Sequence, residues 1–531
     1  MANRKDRFAR FCLFLGIAGI VVSFLIFRPS DIRNTLITRK QAISKALDAL
    51  RFTYPIDSKF EKPRLVENKI YDALRNYFPS DSVSELAEKF DISPFNWKIV
   101  WHGGFTGEVL VDAVNARIIN FQTTVNEKKQ LSGTKTITVK HGNNKTLVSR
   151  FLEAIGETEQ GFESVGVLIN ESKEVTESTF IWEKPISADS EICLRRLISI
   201  VSGRISLYKL EIGFCTNGLT YLRAADSIGV SAVSSSEESF SAFFTVVFVI
   251  LLLFLVALTG EVLEVKNFRI FTKYGFLVVA STFMAALFGA EIRTFSDIFG
   301  IDIPYLLFRI AAQTVMAVAA LWAGQKAGFL VEFEQDHDKS LLSKFTSPNA
   351  IKGYVAGFGL LGLSIFATAV YSRLNLGSGE SFYVTKLANA FSPVIFSFFM
   401  ALSAALSEEA MFRFFTMNSL FKLMRKVWVA VVLSALIWAV FHTFGRLTPQ
   451  TFLFFLDGVI LALTLYYYGF FAAVIAHFAL DAALMAIILA YLRNPFALLL
   501  IFAALSPLFL SRLTRTKKPE LLITDDASSE P

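Results

Sequence analysis

The sequence predicts a mainly α, polytopic membrane helix bundle of about ten spans, with an α+β extracytoplasmic domain inserted after the first span. Three observations carry this reading. The 531-residue chain is 53% hydrophobic, with 54 Phe and only 18% charged residues, an apolar excess that an ordinary water-solvated domain does not carry. Apolar runs, each close to the ~20 residues that cross ~30 Å of hydrocarbon, begin at Phe11, Phe243, Gly275, Ile303, Gly353, Leu387, Val427, Phe452, Phe470 and Phe496. Between the first two runs, residues 28–242 have ordinary polarity and enough length to bury a core of their own.

Residues 1–27 read as a cytoplasmic leader and first anchor. The basic leader (Arg4, Lys5, Arg7, Arg10) also fits a signal peptide, but the end of the run, from Phe24 to Arg28, lacks a small-residue cleavage pattern. The positive-inside rule keeps the leader in the cytoplasm and sends 28–242 outside. Counting spans onward then puts three basic groups inside: Lys266, Arg269 and Lys273; Lys422, Arg425 and Lys426; and Arg512, Arg515, Lys517 and Lys518. Both termini are therefore expected in the cytoplasm, and the overall style points to a bacterial plasma (inner) membrane. The net charge of +6 gathers at membrane edges, where lipid explains it, so no nucleic-acid partner is assigned.

Residues 28–242 show short strand patterns at 97–101 and 179–182 and helical stretches near 40–52 and 146–155. The segments 114–121 and 201–208 resemble one another, which allows a duplicated unit, and the helix–strand–turn–strand order is faintly similar to PepSY modules. Cys193 and Cys215, two of only three Cys in the chain, share this domain, where an oxidising compartment would permit a bridge. His102 and His141 each adjoin a Gly in polar surroundings and read as solvated loop residues. With no catalytic or metal-ligand spacing in this half, it is expected to bind, position or gate.

Chemistry concentrates farther on. Residues 243–386 supply spans two to five, 387–490 the candidate catalytic core, and 491–531 the last span and a cytoplasmic tail. Ionisable groups inside spans cost roughly 2.5–3.5 kcal/mol each and default to functional hypotheses. Glu409 and Arg413 stand four apart, acid first, and can neutralise one another on one helix face. Glu408 points about 100° away and has no local partner. The bland alternative is a buried polar network or a helix end. His442 and His477 lie in otherwise apolar helices; alone, each could be a satisfied packing residue. Glu408 lies 18 residues before Lys426 and His442 lies 16 after it, so antiparallel helices bring both to similar depth. His477 and Asp481, four apart, can point at the same centre.

Taken in order on consecutive hydrophobic helices, Glu408-Glu409 with Arg413, then Trp438 and His442, then His477 and Asp481, resemble the signature of the CPBP family, the type II CAAX prenyl endopeptidases and Abi-type intramembrane proteases. The resemblance covers 387–490 and implies an intramembrane endopeptidase acting on membrane-associated proteins. It implies that Glu408 and His442 activate water, that Glu409 and Arg413 brace the helix, and that His477 with Asp481 stabilises the oxyanion or orients the scissile carbonyl. Trp438 replaces the usual Phe, a change read as packing alone. Asp481 stands where Asn is common, and an ionised Asp cannot donate to an oxyanion.

Two other readings compete. Glu408, His442, His477 and Asp481 could instead hold zinc, although no HExxH occurs; a mechanism without a cofactor is favoured. A transporter or scaffold relaying ions through these groups, with Arg309 and Asp457, belongs to a different class, but no inverted repeat supports it. Membrane lipid and a membrane-associated protein or peptide substrate are the expected partners; neither substrate identity nor oligomeric state is legible.

Overall fold

Apolar residues recur along 95–125 and 192–214, and each stretch folds into antiparallel strands. In this computed structural model, which describes residues 2–26, 36–50, most of 59–215, 268–289, 303–327, 341–373, 381–443 and 448–515, the strands are β1 (Lys59–Phe60), β2 (Arg64–Glu67), β3 (Phe95–His102), β4 (Phe105–Asp112), β5 (Ile118–Val125), β6 (Glu163–Glu171), β7 (Thr176–Pro185), β8 (Ile192–Val201) and β9 (Arg204–Phe214). They form one nine-stranded sheet in the order β1-β3-β4-β5-β9-β8-β7-β6, with β2 also paired to β3. All pairings are antiparallel.

The meanders β3–β5 and β6–β9 meet at β5 and β9, where Phe121 faces Tyr208. These two residues are also the final aligned pair of the similar segments 114–121 and 201–208, so equivalent positions face each other across the seam. The helix His141–Ile155 covers it: Phe151, 0% exposed, contacts Phe121 and Tyr208 at centroid distances of 6.3 and 5.6 Å. Burying a Phe of this kind contributes roughly 1.5–3 kcal/mol. At the far end of the β8–β9 hairpin, Cys193 and Cys215 are joined in a disulfide.

The helices, in chain order, are α1 (Ala2–Ile26), α2 (Arg39–Leu50), α3 (Ser80–Lys89), α4 (the His141–Ile155 helix just described), α5 (Phe268–Gly289), α6 (Ile303–Ala327), α7 (Gly353–Arg373), α8 (Ser381–Asn389), α9 (Pro393–Glu408), α10 (Asn418–Met424), α11 (Val427–His442), α12 (Pro449–Tyr468), α13 (Phe470–Tyr491), α14 (Ala497–Ala504) and α15 (Ser506–Arg515), with two short helical turns between α6 and α7. Between α9 and α10 the chain widens into a π-helix, Glu409–Met417. α2, α3 and α4 belong to the sheet domain, whereas α1 and α5 onward build a second apolar core, which meets the first at α8.

Five stretches among the described residues are long and apolar enough to cross a membrane: Thr272–Gly289, Pro348–Tyr371, Pro393–Met424, Pro449–Tyr468 and Phe470–Tyr491. This is a multi-pass membrane protein; of the ten spans expected, five are met among the described residues. The run starting at Phe243 lies outside the described residues. The run starting at Leu387 is broken before Pro393, which begins its own helix with Ser392 as the N-cap. α11 has 16 residues and a length of ~24 Å, short of the ~30 Å hydrocarbon layer. The run from Phe496 divides into α14 and α15.

α1 is built into the bundle. Gly19 sits so close to α7 that a Cβ there would lie 2.1 Å from the Gly362 carbonyl oxygen, the close backbone approach that small residues permit between membrane helices. Tyr468 also donates its hydroxyl to the Lys5 carbonyl at 2.5 Å. The π-containing helix leaves the sheet domain at Pro393 and reaches its other end at Met424. There Arg425, at φ 56°, turns the chain back into α11. The basic turn Lys422, Arg425 and Lys426 therefore lies at the opposite end of the bundle from the sheet domain.

Candidate active site

The tight turn at Arg425 makes the π-containing helix and α11 antiparallel neighbours, so Glu408 and His442 meet: His442 Nε2 lies 3.3 Å from Glu408 Oε2. Trp438, one turn before His442 on the same face, donates its indole N–H to the same oxygen at 2.8 Å. His442 Nδ1 donates to the Trp438 carbonyl at 3.0 Å. That carbonyl can only accept, so the neutral ring presents its Nε2 lone pair to the carboxylate. Two acceptors 3.3 Å apart need a hydrogen between them, shared by the pair or supplied by a water that donates to both. This is an arrangement in which a water can be deprotonated.

α13 brings the third motif. His477 donates from Nδ1 to Glu409 Oε1 at 2.8 Å, while its Nε2 faces Asp481 Oδ2 at 3.5 Å and Glu408 Oε2 at 4.0 Å. The six predicted residues, Glu408, Glu409, Arg413, His442, His477 and Asp481, thus converge on one centre. They divide by burial. Glu409 and Arg413 are 0% exposed and His477 5%, whereas the side chains of Glu408, His442 and Asp481 keep 20%, 24% and 23% of their surface. The more exposed three are those a substrate could touch.

Arg413 Nη1 lies 3.2 Å from Glu409 Oε1, and its guanidinium carbon lies 4.0 Å from the Trp438 ring centroid. Among the described residues none of the three guanidinium nitrogens makes a well-directed hydrogen bond. Charge and stacking hold this side chain. Asp457 on α12, 3% exposed, lies within electrostatic reach of Arg413 and His477 and takes a hydrogen bond from Ser364, while its Oδ1 has no partner among the described residues.

Three features were not read from the sequence. Trp438, read as packing alone, also holds the Glu408 carboxylate and stacks on Arg413; an N–H donor one turn from a His in an apolar helix is the available signal. Glu409 was assigned to Arg413, yet it also fixes the His477 ring, a contact between residues 68 apart that no local spacing reveals. Asp457 was noticed as an intramembrane charge but grouped with Arg309 in an ion relay. The Arg309 side chain lies outside the described residues.

Because Glu409 already orients His477, Asp481 is not needed for that purpose. Asp481→Asn, which supplies an amide donor of equal size, is therefore expected to keep kcat/KM within about tenfold of wild type, less than ~1.4 kcal/mol of barrier. A steady-state cleavage assay showing a loss of several hundredfold would instead make the ionised carboxylate essential.

No group of three or more His, Cys, Asp or Glu among the described residues is arranged to hold a metal ion. No curated protein and no solved structure matches the chain. Residues 390–483, from just before α9 to just beyond Asp481, match the family model for type II CAAX prenyl endopeptidases, Rce1-like, and this part of the chain is accordingly an Rce1-like domain of the CPBP family.

Proposed function

We propose that the protein is an intramembrane endopeptidase that hydrolyses peptide bonds of membrane-associated polypeptides with a water activated by Glu408 and His442. The observation that carries this reading is the pair itself, with Oε2 and Nε2 3.3 Å apart and partly exposed within a mainly apolar bundle. The family match is consistent with it, since membership implies an intramembrane protease. In this reading Glu408 takes the proton of the attacking water, His442 shares and returns it to the leaving amine, and His477, as an imidazolium whose Nδ1–H is held by Glu409, donates its Nε2–H to the developing oxyanion. Such acid–base transfer contributes typically about 10²–10⁴ in rate, and a preorganised donor in a dry site adds further stabilisation of developing charge.

The reading separates from the zinc alternative in one assay. Purified protein in lipid nanodiscs, incubated with a membrane-tethered peptide, is expected to cleave equally well before and after exhaustive chelation and dialysis. Loss of cleavage that returns specifically on adding zinc would contradict the cofactor-free mechanism and leave Glu408, His442, His477 and Asp481 as the ligands to test.

A further inference from the structure

α8 belongs to both cores. Its Leu387, 0% exposed, packs into the membrane bundle, whereas its Val384 and Ala388, 6% and 8% exposed, pack into the core of the sheet domain. The joint is polar as well. Asn389 Nδ2 donates to the Leu65 carbonyl and Asn389 Oδ1 accepts from the Leu65 N–H, both at 2.9 Å, so one amide satisfies the donor and acceptor that β2 turns away from β3. Arg39, at the start of α2, donates to the Ala388 carbonyl and lies 5.6 Å from the Trp97 ring centroid.

The same helix borders the reactive groups. Tyr383, 40% exposed, lies within electrostatic reach of Asp481 and Glu408, and α8 packs against both α9 and α13. The depth of the site agrees. α11 starts at the basic turn, and His442 is its last residue, so the site lies toward the end of α11 that faces the sheet domain rather than the basic end.

Resting on the protease reading above, we propose that α8 is the substrate-positioning wall of the site, held in place by the sheet domain through Asn389, and that the substrates are polypeptides presenting their cleavable segment on the sheet-domain side of the membrane. Tyr383 is then the residue that meets the substrate beside the scissile bond. Asn389 is a positioning residue that acts through α8.

The test separates binding from cleavage. The probes are two single-span peptides in lipid vesicles, one carrying its extended tail on the sheet-domain side and one on the opposite side. A photo-crosslinking amino acid at position 383, in the Glu408→Gln background, reports contact without requiring turnover. The sheet-side tail is expected to crosslink and the opposite tail not to. Asn389→Leu, which keeps the volume and loses both bonds to Leu65, should lower the yield about tenfold, and Asn389→Asp, which keeps an acceptor, should fall between. The intact Cys193–Cys215 bridge and unchanged protein level serve as the folding check. Equal crosslinking from either side, or a yield insensitive to both Asn389 variants in folded protein, would overturn the proposal. Crosslinking of the sheet-side tail as described, with no cleavage by the unsubstituted protein, would uphold the wall and count against the protease reading alone.

Discussion

Glu408→Gln is expected to lower peptide cleavage by about 10²–10⁴-fold while leaving the protein inserted and folded, because Gln preserves volume and polarity but cannot accept a proton. Gln can still take the indole hydrogen of Trp438 through its carbonyl oxygen, so the local packing has no reason to change. His442→Ala removes the other half of the pair and should cost a similar factor. The informative comparison is the double variant. Since the two side chains, 3.3 Å apart, act on the same water as a unit in this reading, removing both should be scarcely worse than removing either, whereas independent contributions would multiply. Initial rates for the wild type, the two single variants and the double variant decide the matter.

Arg413→Ala is expected to act on stability first. Its guanidinium is 0% exposed and supplies the positive charge paired with Glu409, with Glu408 and Asp457 also within electrostatic reach. Breaking a buried pair costs about 3–5 kcal/mol, because the remaining charge stays buried without its partner. The variant should show lower abundance and an earlier thermal transition in detergent, and any correctly folded remainder should turn over slowly because Glu409 no longer sits where it holds His477. Arg413→Lys keeps the charge but loses the planar face against Trp438, so it should recover part of the stability. An unchanged transition for Arg413→Ala would show that the pair contributes nothing net.

Local rules made some of this centre legible. The four-residue spacing of Glu409 and Arg413, the different heading of Glu408, and the equal chain lengths on either side of the basic turn all follow from helix geometry, and the structure brings these groups together as that geometry requires. Depth was harder to read for α13. The Gly469 turn carries no charge, yet His477 lies only seven residues beyond Phe470 and still reaches Glu408, so that turn is set by packing against α1 and α7. Contacts between helices distant in sequence, such as Glu409 with His477, leave no periodic trace. The sheet domain followed its alternation well at 97–101 and 179–182, within β3 and β7. Its joint with the bundle was hidden, because Asn389 in an apolar run looks like a helix end until β2 is placed beside it. Helix breaks are hidden for a related reason: apolar length alone does not register the break before Pro393 or the short α11.

The most direct measurement of the central claim is the fate of solvent oxygen. Purified wild-type protein, mixed with a membrane-tethered peptide in H₂¹⁸O, is expected to yield two fragments, the N-terminal one carrying a single ¹⁸O in its new carboxyl group by mass spectrometry, while Glu408→Gln in the same membranes leaves the peptide intact. Fragments that appear at the wild-type rate with Glu408→Gln would contradict a glutamate-activated water at this site and move the buried Glu, His and Asp groups to the ion-relay reading.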